Sequence, residues 1–228
     1  MLSYLIIKLR KITFDLYFIT ASICYISIQL YIQIIKIELN MNYLSATATE
    51  LSNRHREELF RYRYNVFVNH LCWNLEIEPK YKKNSFEIDQ FDNKTTVYVI
   101  SKNKHDEITG CARLLPTTSP YLLETVFPEL LHDMNAPKSE DIWELSRFAC
   151  VDFDNLNHSS NAKITSQFSV ELLKETLNVA KEKGAKHLVS VSPISIERLL
   201  KKEGFNVIRI GSPVPIGDYI LVACWIDL

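Results

Sequence analysis

The sequence predicts one α/β domain with a mixed β-sheet, preceded by a separate hydrophobic segment. In the second half of the chain, short apolar strands alternate with amphipathic helices, the pattern of βαβ connections. Earlier, two strands follow one another with only a turn between them, so part of the sheet is antiparallel. The 228 residues include only 5 glycines and 8 prolines, which leaves little room for linkers and favours a single domain.

The first predicted helix of the domain covers residues 52–70. Leu59, Val66 and Phe67 recur at helical spacing among charged residues, and Ser52 or Asn53 could cap the helix. The elements predicted after it are strands at 95–100, 107–115 and 142–151, with a short helix at 122–131 between the last two.

The longest predicted helix covers residues 164–183. Its apolar stripe includes Ile164, Phe168 and Leu172, and Gly184 is placed to end it. The elements predicted after it are a strand at 187–191, a helix at 194–203, and strands at 206–210 and 219–226.

Residues 1–40 are a hydrophobic extension that differs in character from the domain at 41–228. The run 16–35 has no charged residue, and about 20 such residues are just enough to cross a bilayer as a helix. Three interpretations stay open: translation that begins at Met41, a membrane anchor, or a packed helix. A signal peptide fits less well, because no small-residue cleavage site follows the apolar run.

Charge and cysteine content exclude several classes of protein. The formal net charge is −1, with acidic and basic residues intermixed, so nucleic-acid binding is not indicated. The five cysteines are scattered, without a CxxC pair or a zinc-ligand spacing, so we expect no metal site and no disulfide framework.

Several charged residues interrupt apolar elements. Arg63 lies on or beside the buried face of the first helix, and Arg113 interrupts a strand. Burial of an unpaired charge is costly, so such residues pair with one another, line a cleft, or belong to a solvated face after all. Glu144 and Arg147 are three apart on one strand, hence on opposite faces unless a bulge intervenes or the site lies at the strand edge.

The segment EIDQFD contains three acidic residues, Glu87, Asp89 and Asp92. Acidic residues on a loop are more often solvated than functional. Phe67 and Trp73 would by default be core aromatics. None of these residues on its own indicates an activity.

Four motifs in a fixed order change this interpretation: RYRYNVFVNHLCW, EIDQFD, GCARLLP and WELSRF. Together they resemble the acyl-homoserine-lactone synthase (autoinducer synthase) family, from about Met41 to Gly204. One departure is Cys72, where the family usually has a glycine before the tryptophan. The positions that match the family's characteristic residues are Arg63, Phe67, Trp73, Asp89, Phe91, Asp92, Arg113, Glu144 and Arg147.

The resemblance implies a fold similar to that of the N-acetyltransferases, with a mixed sheet splayed at its middle and the acyl chain in the gap. It also implies the activity: an acyl group on acyl carrier protein is joined to S-adenosylmethionine, methylthioadenosine leaves, and a lactone quorum-sensing signal forms. S-adenosylmethionine is then a consumed substrate, and no separate cofactor is expected.

The resemblance also suggests roles. Glu144 is the expected general base for the substrate amine. Arg63, Arg113 and Arg147 would pair with Asp89, Asp92 and Glu144, while one of these arginines holds the substrate carboxylate. Phe67 and Trp73 would face the adenine and the sulfonium. Ser190 falls where family members that use acyl chains oxidised at the third carbon often have threonine or serine.

Acyl carrier protein is strongly acidic, so a basic patch is expected on its partner. Lysines are also favoured at helix C-termini by the helix dipole, which is the alternative explanation. We expect a cytoplasmic enzyme, tethered to the inner membrane only if the extension is inserted. The candidate patch residues are Lys181, Lys183, Lys186, Arg198, Lys201 and Lys202.

Two other functions compete. An N-acetyltransferase that uses acetyl-coenzyme A needs a glycine-rich turn for the pyrophosphate, and the corresponding stretch DFDNLNHSSNAKI has no glycine. A non-catalytic binding module on the same fold would be expected to lack the charged constellation, which is present here.

Overall fold

The structure is a computed structural model that describes residues 41–153 and 162–228. The late start, the membrane anchor and the packed helix all concern residues 1–40, which lie outside the described residues. Across the two described ranges, no helix has both the length and the apolar character needed to cross a membrane.

The described residues form eight strands and seven helical segments. The strands are β1 (Asn42–Thr47), β2 (Val97–Lys102), β3 (Ile108–Pro116), β4 (Ile142–Cys150), β5 (His187–Pro193), β6 (Val207–Arg209), β7 (Val214–Ile216) and β8 (Tyr219–Asp227). The helices are α1 (Asn53–Arg63), which continues as a π-helix (Tyr64–His70), α2 (Pro79–Lys82), α3 (Leu122–Thr125), a 3₁₀ helix (Pro128–Leu131), α4 (Ala162–Glu182) and α5 (Ile194–Lys202).

Most predicted elements are present, and the differences have local causes. Of the two cap candidates, Ser52 caps α1, since its Oγ accepts from the His55 N–H at 3.2 Å. The helix predicted over 122–131 is divided, because the residue before Pro128 is kept out of the helical region. β1, α2 and β7 were not predicted; β7 is only three residues long, and one of them is a proline.

The sheet is mixed, as the sequence indicates. In the described residues its order is β1-β2-β3-β4-β5-β8-β6, with β7 paired to β8. The β4–β5 pair is parallel and the other pairs are antiparallel.

The parallel pair comes apart partway along the strands. Its register runs only from Ile142 opposite His187 to Glu144 opposite Val189. β4 continues to Cys150 and β5 to Pro193, so the two strands separate beyond Glu144. We call this opening the β4–β5 gap. It confirms the splayed sheet that the resemblance implies.

The two faces of the sheet carry different cores. One face packs against α4 and α5 through residues such as Leu145, Leu188 and Cys224. The other carries two separate apolar clusters, one beside α1 that contains Phe67 and one beside α3 that contains Tyr121. The charged residues predicted for the site lie on this second face.

A β-bulge in β4 explains how Glu144 and Arg147 share that face. Arg113 pairs with Ser146 and Cys111 with Ala149, so Arg147 and Phe148 both stand opposite the single residue Ala112. Arg147 has φ +49°, in the left-handed region that β-bulges often use. The extra residue shifts the alternation of side chains between the two faces by one position. Glu144 and Arg147 therefore lie on the same face although they are three apart in the sequence.

Candidate active site

Three arginines and three carboxylates form one buried network on the second face of the sheet. The arginines come from three different elements: Arg63 ends α1, Arg113 lies in β3, and Arg147 lies at the β4 bulge. The carboxylates come from the loop between α2 and β2 and are Glu87, Asp89 and Asp92. The formal charges balance, which is how proteins keep such groups buried.

Arg63 is held on two sides. Its Nε donates to Glu87 Oε2 at 2.5 Å, while Nη1 and Nη2 donate to the two oxygens of Asp92 at 2.7 and 3.0 Å. The three side chains are each 1% exposed. Burial disfavours their charged forms, but the guanidiniums outweigh it: the pKa of Glu87 falls to about 2, and that of Asp92 also falls. All three groups are therefore charged at neutral pH.

Arg147 and Arg113 extend the network. The Nη2 of Arg147 donates to Glu87 Oε1 and to Asp89 Oδ2, both at 2.9 Å. Arg113 donates from Nη1 to Asp89 Oδ1 at 2.6 Å and from Nε to Ser146 Oγ at 3.0 Å. Its buried Nη2 has no hydrogen-bond partner within the described ranges. A buried donor without a partner is rare in proteins, so this N–H is suited to a substrate acceptor.

Phe67 and Trp73 form an aromatic extension of the network. Their rings stack with centroids 4.8 Å apart, and the Arg147 guanidinium lies 5.6 Å from the Phe67 centroid. Phe67 is buried in the α1 cluster, whereas Trp73 is half-buried. Trp73 is therefore the aromatic residue with surface left for a ligand.

Glu144 does not pair with an arginine, contrary to expectation. Its two carboxylate oxygens accept from the backbone N–H groups of Leu122 and Leu123 at 2.9 and 2.7 Å. The first N–H groups of a helix lack partners inside the helix, so a carboxylate is favourable there. Burial raises the pKa of Glu144 to about 7, although these N–H donors oppose the shift. Glu144 sits at the last paired position before the β4–β5 gap.

Ser190 follows the last paired residue of β5, Val189, at the start of the gap. It is buried, its Oγ lies 3.0 Å from Ser192 Oγ, and it pairs with Cys224, which belongs to the core on the α4 and α5 face. Ser190 therefore points away from the arginine network, towards the other side of the sheet.

The candidate basic patch is exposed and, apart from Arg198 in the middle of α5, lies where α4 and α5 end. These two ends lie at the same end of the sheet, because Lys186 O accepts from Leu228 N and Asn206 O from Asp227 N, both at 3.1 Å. Two members of the patch have acidic partners: Lys186 with Asp141 and Lys201 with Glu197.

We assign Cys72 and Cys111 no part in the chemistry of the network. Cys72 is exposed, with φ +54°, and Cys111 is buried. Burial raises the pKa of the Cys111 thiol to about 12, which leaves almost no thiolate at neutral pH. Within the described ranges, no group of three or more His, Cys, Asp or Glu side chains is arranged to hold a metal ion.

The sequence interpretation missed three residues of the network. Glu87 was noted only as a member of the acidic segment, yet it bridges Arg63 and Arg147. Ser146 supports Arg113, and the Tyr98 hydroxyl donates to Asp92 Oδ1 at 2.9 Å. Ser146 and Glu144 are two residues apart on one strand and so point to the same face, a signal that could have identified Ser146. Tyr98, by contrast, looks like an ordinary core residue of a strand.

Comparison with known proteins gives consistent matches. A family model described as "Autoinducer synthase" matches residues 47–228. An acyl-homoserine-lactone synthase of Acinetobacter nosocomialis is 42% identical over 188 residues, which are 82% of this chain and 100% of the relative.

Solved structures agree. TofI in a ternary complex with an inhibitor and MTA is 40% identical, with a TM-score of 0.69 over 82% of this chain and 91% of that chain. A putative N-acetyltransferase from Lactobacillus plantarum is 14% identical, with a TM-score of 0.53 over 82% of this chain and 99% of that chain, a likeness of fold alone.

Proposed function

The chain belongs to the autoinducer synthase family and is an acyl-homoserine-lactone synthase, and we propose that its substrates are S-adenosylmethionine and an acyl chain on acyl carrier protein. The products are an N-acyl-homoserine lactone, methylthioadenosine and the free carrier thiol. S-adenosylmethionine is consumed, so no separate cofactor is required. Since both proposed substrates are products of intracellular metabolism, we expect the enzyme to act in the cytoplasm.

The observation that carries the S-adenosylmethionine site is the buried network of three arginines and three carboxylates. The substrate has an ammonium, a carboxylate and a sulfonium, and such a network supplies partners of both signs. We assign the carboxylate to the unpartnered Nη2 of Arg113. We assign the sulfonium and adenine to the accessible surface of Trp73, backed by Phe67. The MTA of the TofI complex matches the nucleoside that this reaction releases.

Glu144 is the proposed base, acting directly or through one water. The substrate amine arrives as an ammonium and must lose a proton before it attacks. A pKa near 7 suits that step, whereas Glu87, with a pKa of about 2, is too weak a base. Both oxygens of Glu144 already accept one hydrogen bond each, but a carboxylate has further lone pairs.

The chemistry then has two bond-forming steps. The deprotonated amine attacks the thioester carbonyl, the amide forms, and the carrier leaves as a thiol. The substrate carboxylate next attacks the γ-carbon, and the bond from that carbon to sulfur breaks with its electron pair on methylthioadenosine. Beyond Glu144, β4 has no strand partner on its β5 side, so backbone N–H groups of that edge are suited to hold the thioester oxyanion.

The acyl chain is assigned to the β4–β5 gap. Ser190, buried at the start of the gap, is the proposed partner for an oxygen on the third acyl carbon. Carrier protein is assigned to the basic patch of α4 and α5. Of its members, Lys181, Lys183, Arg198 and Lys202 make no ion pair with any described residue, so their charge is available to an acidic partner.

The test is to incubate the full chain with S-adenosylmethionine and a panel of acyl carrier proteins that differ in chain length and oxidation at the third carbon, beside the matching acyl-coenzyme A thioesters and acetyl-coenzyme A. Mass spectrometry should detect an acyl-homoserine lactone and methylthioadenosine in equal amounts. Ser190→Ala should lower the use of oxidised chains relative to plain ones. Lactone formed only from acyl-coenzyme A would overturn the carrier assignment. Consumption of acetyl-coenzyme A with another amine, and no lactone, would point to the acetyltransferase alternative.

A further inference from the structure

A row of side chains leads away from the arginine network on the second face of the sheet. The Arg147 guanidinium lies against Phe67, Phe67 stacks on Trp73, and Trp73 meets Tyr219 edge to face, with centroids 6.5 Å apart at 74°. The Tyr219 hydroxyl also donates to Leu71 O at 3.5 Å. The row thus connects the network to the start of β8.

The two ends of this row belong to strands on opposite sides of the β4–β5 gap. Arg147 lies on β4 beyond Glu144, where β4 has already left β5. Tyr219 begins β8, two residues before Leu221, which pairs with Pro193 at the end of β5. The contact between Trp73 and Tyr219 therefore bridges the gap at its open end, and α3 lies at its closed end beside Glu144.

The contact between Trp73 and Tyr219 is a weak one. Tyr219 is 40% exposed, its hydrogen bond is long, and its ring makes an edge contact rather than a buried stack. Its place is set by a tight turn in which Gly217 has φ +56°, a conformation that glycine adopts without strain. A single exposed aromatic contact costs less free energy to break than a contact in the core.

We propose that Tyr219 is a positioning residue that closes the open end of the β4–β5 gap over the bound thioester. It holds Trp73 against Phe67 and limits the access of water to the acyl carbonyl. Without this closure, water competes with the substrate amine: its oxygen bonds to the acyl carbon, the bond to sulfur breaks, and a fatty acid and the carrier thiol leave. The proposal rests on the proposed function, because it needs a thioester in the gap.

Three variants of the full chain test it: Tyr219→Ala, Tyr219→Phe, and Ile220→Ala as a matched control. Ile220 is the next residue, is 52% exposed and points to the opposite face of β8. The assay counts carrier thiol and lactone in the same reaction, so that their ratio reports thioester lost to water. The KM for acyl carrier protein is measured in parallel.

Tyr219→Ala should raise the ratio of thiol to lactone, and the KM for the acyl donor, by about two- to tenfold, the range that one aromatic pair supports. Tyr219→Phe keeps the ring contact and should stay within about twofold of the unaltered chain, as should Ile220→Ala. An unchanged ratio and KM in Tyr219→Ala would overturn the proposal, whether or not its melting temperature falls. If the unaltered chain makes no lactone, it is the proposed function that fails.

Discussion

Arg63 and Glu87 lie 2.5 Å apart, from Nε to Oε2, and each side chain is 1% exposed. Removal of the Glu87 charge leaves three buried guanidiniums facing only two carboxylates, because Arg63 then keeps Asp92 alone and Arg147 keeps Asp89 alone. Glu87→Gln should therefore lower the free energy of unfolding by roughly 3–5 kcal/mol. Urea unfolding measures this, with Glu129→Gln as the control, since Glu129 is exposed. A loss no larger than that of the control would contradict a structural role for the pair.

The same pair has a consequence for acid stability. The pKa of Glu87 is about 2 in the folded chain against an ordinary 4.5, so the folded state binds this proton more weakly than the unfolded state. The stabilisation is complete above pH 4.5 and is lost as the pH falls towards 2. Unfolding curves from pH 7 down to pH 2 should show this loss in the unaltered chain and a shallower one in Glu87→Gln.

Glu144 should control the pH dependence of catalysis. With its pKa raised to about 7 by burial, the base form accumulates as the pH rises through 7, so kcat/KM should rise over that interval and then level off. Glu144→Gln should lower kcat by about 100-fold or more and abolish this rise of kcat/KM with pH. Glu140→Gln, an exposed change just before β4, is the control.

The Glu144 variant also disturbs the start of α3, because one acceptor for the N–H groups of Leu122 and Leu123 is replaced by a donor. A melting curve separates this effect from the chemistry. Full activity of a folded Glu144→Gln chain, with an unchanged pH profile, would remove Glu144 from the role of base.

A substitution of Cys72 is expected to stabilise the chain, whereas the changes at Glu87 and Glu144 weaken it. The φ of Cys72, +54°, lies in the left-handed region, which is strained for a residue with a Cβ. Cys72→Gly should raise the free energy of unfolding by about 1 kcal/mol, with activity retained. Ser45→Gly, in the extended strand β1, should instead destabilise the chain. A loss of stability in both variants would argue against the left-handed turn before Trp73.

The basic patch can be tested by charge reversal. Lys202→Glu, in the last turn of α5, should raise the KM for acyl carrier protein about threefold or more at low salt and less at high salt. A small acyl-pantetheine donor should be unaffected, as should Lys104→Glu, an exposed change in the turn between β2 and β3. Equal effects on both donors would place the carrier protein elsewhere.

The sequence predicts this fold and site unevenly, for physical reasons. Arg63 and Arg113 stand out because a charge within an apolar pattern is costly and therefore informative. The partners of Glu144 could not be foreseen, because they are backbone groups of a four-residue helix with no periodicity of its own. The face of Arg147 depended on a bulge, which is a property of two paired strands rather than of either sequence.

That bulge also raises the density of functional groups in β4. A regular strand gives one side chain to a face every two residues, or about 6.6 Å. Because of the extra residue, Ser146 and Arg147 are consecutive in the chain and still serve the same network, one through Arg113 and the other through Glu87 and Asp89. Deletion of one residue at the bulge would barely change the composition of β4. It would nevertheless take one of the two side chains, Ser146 or Arg147, out of the network.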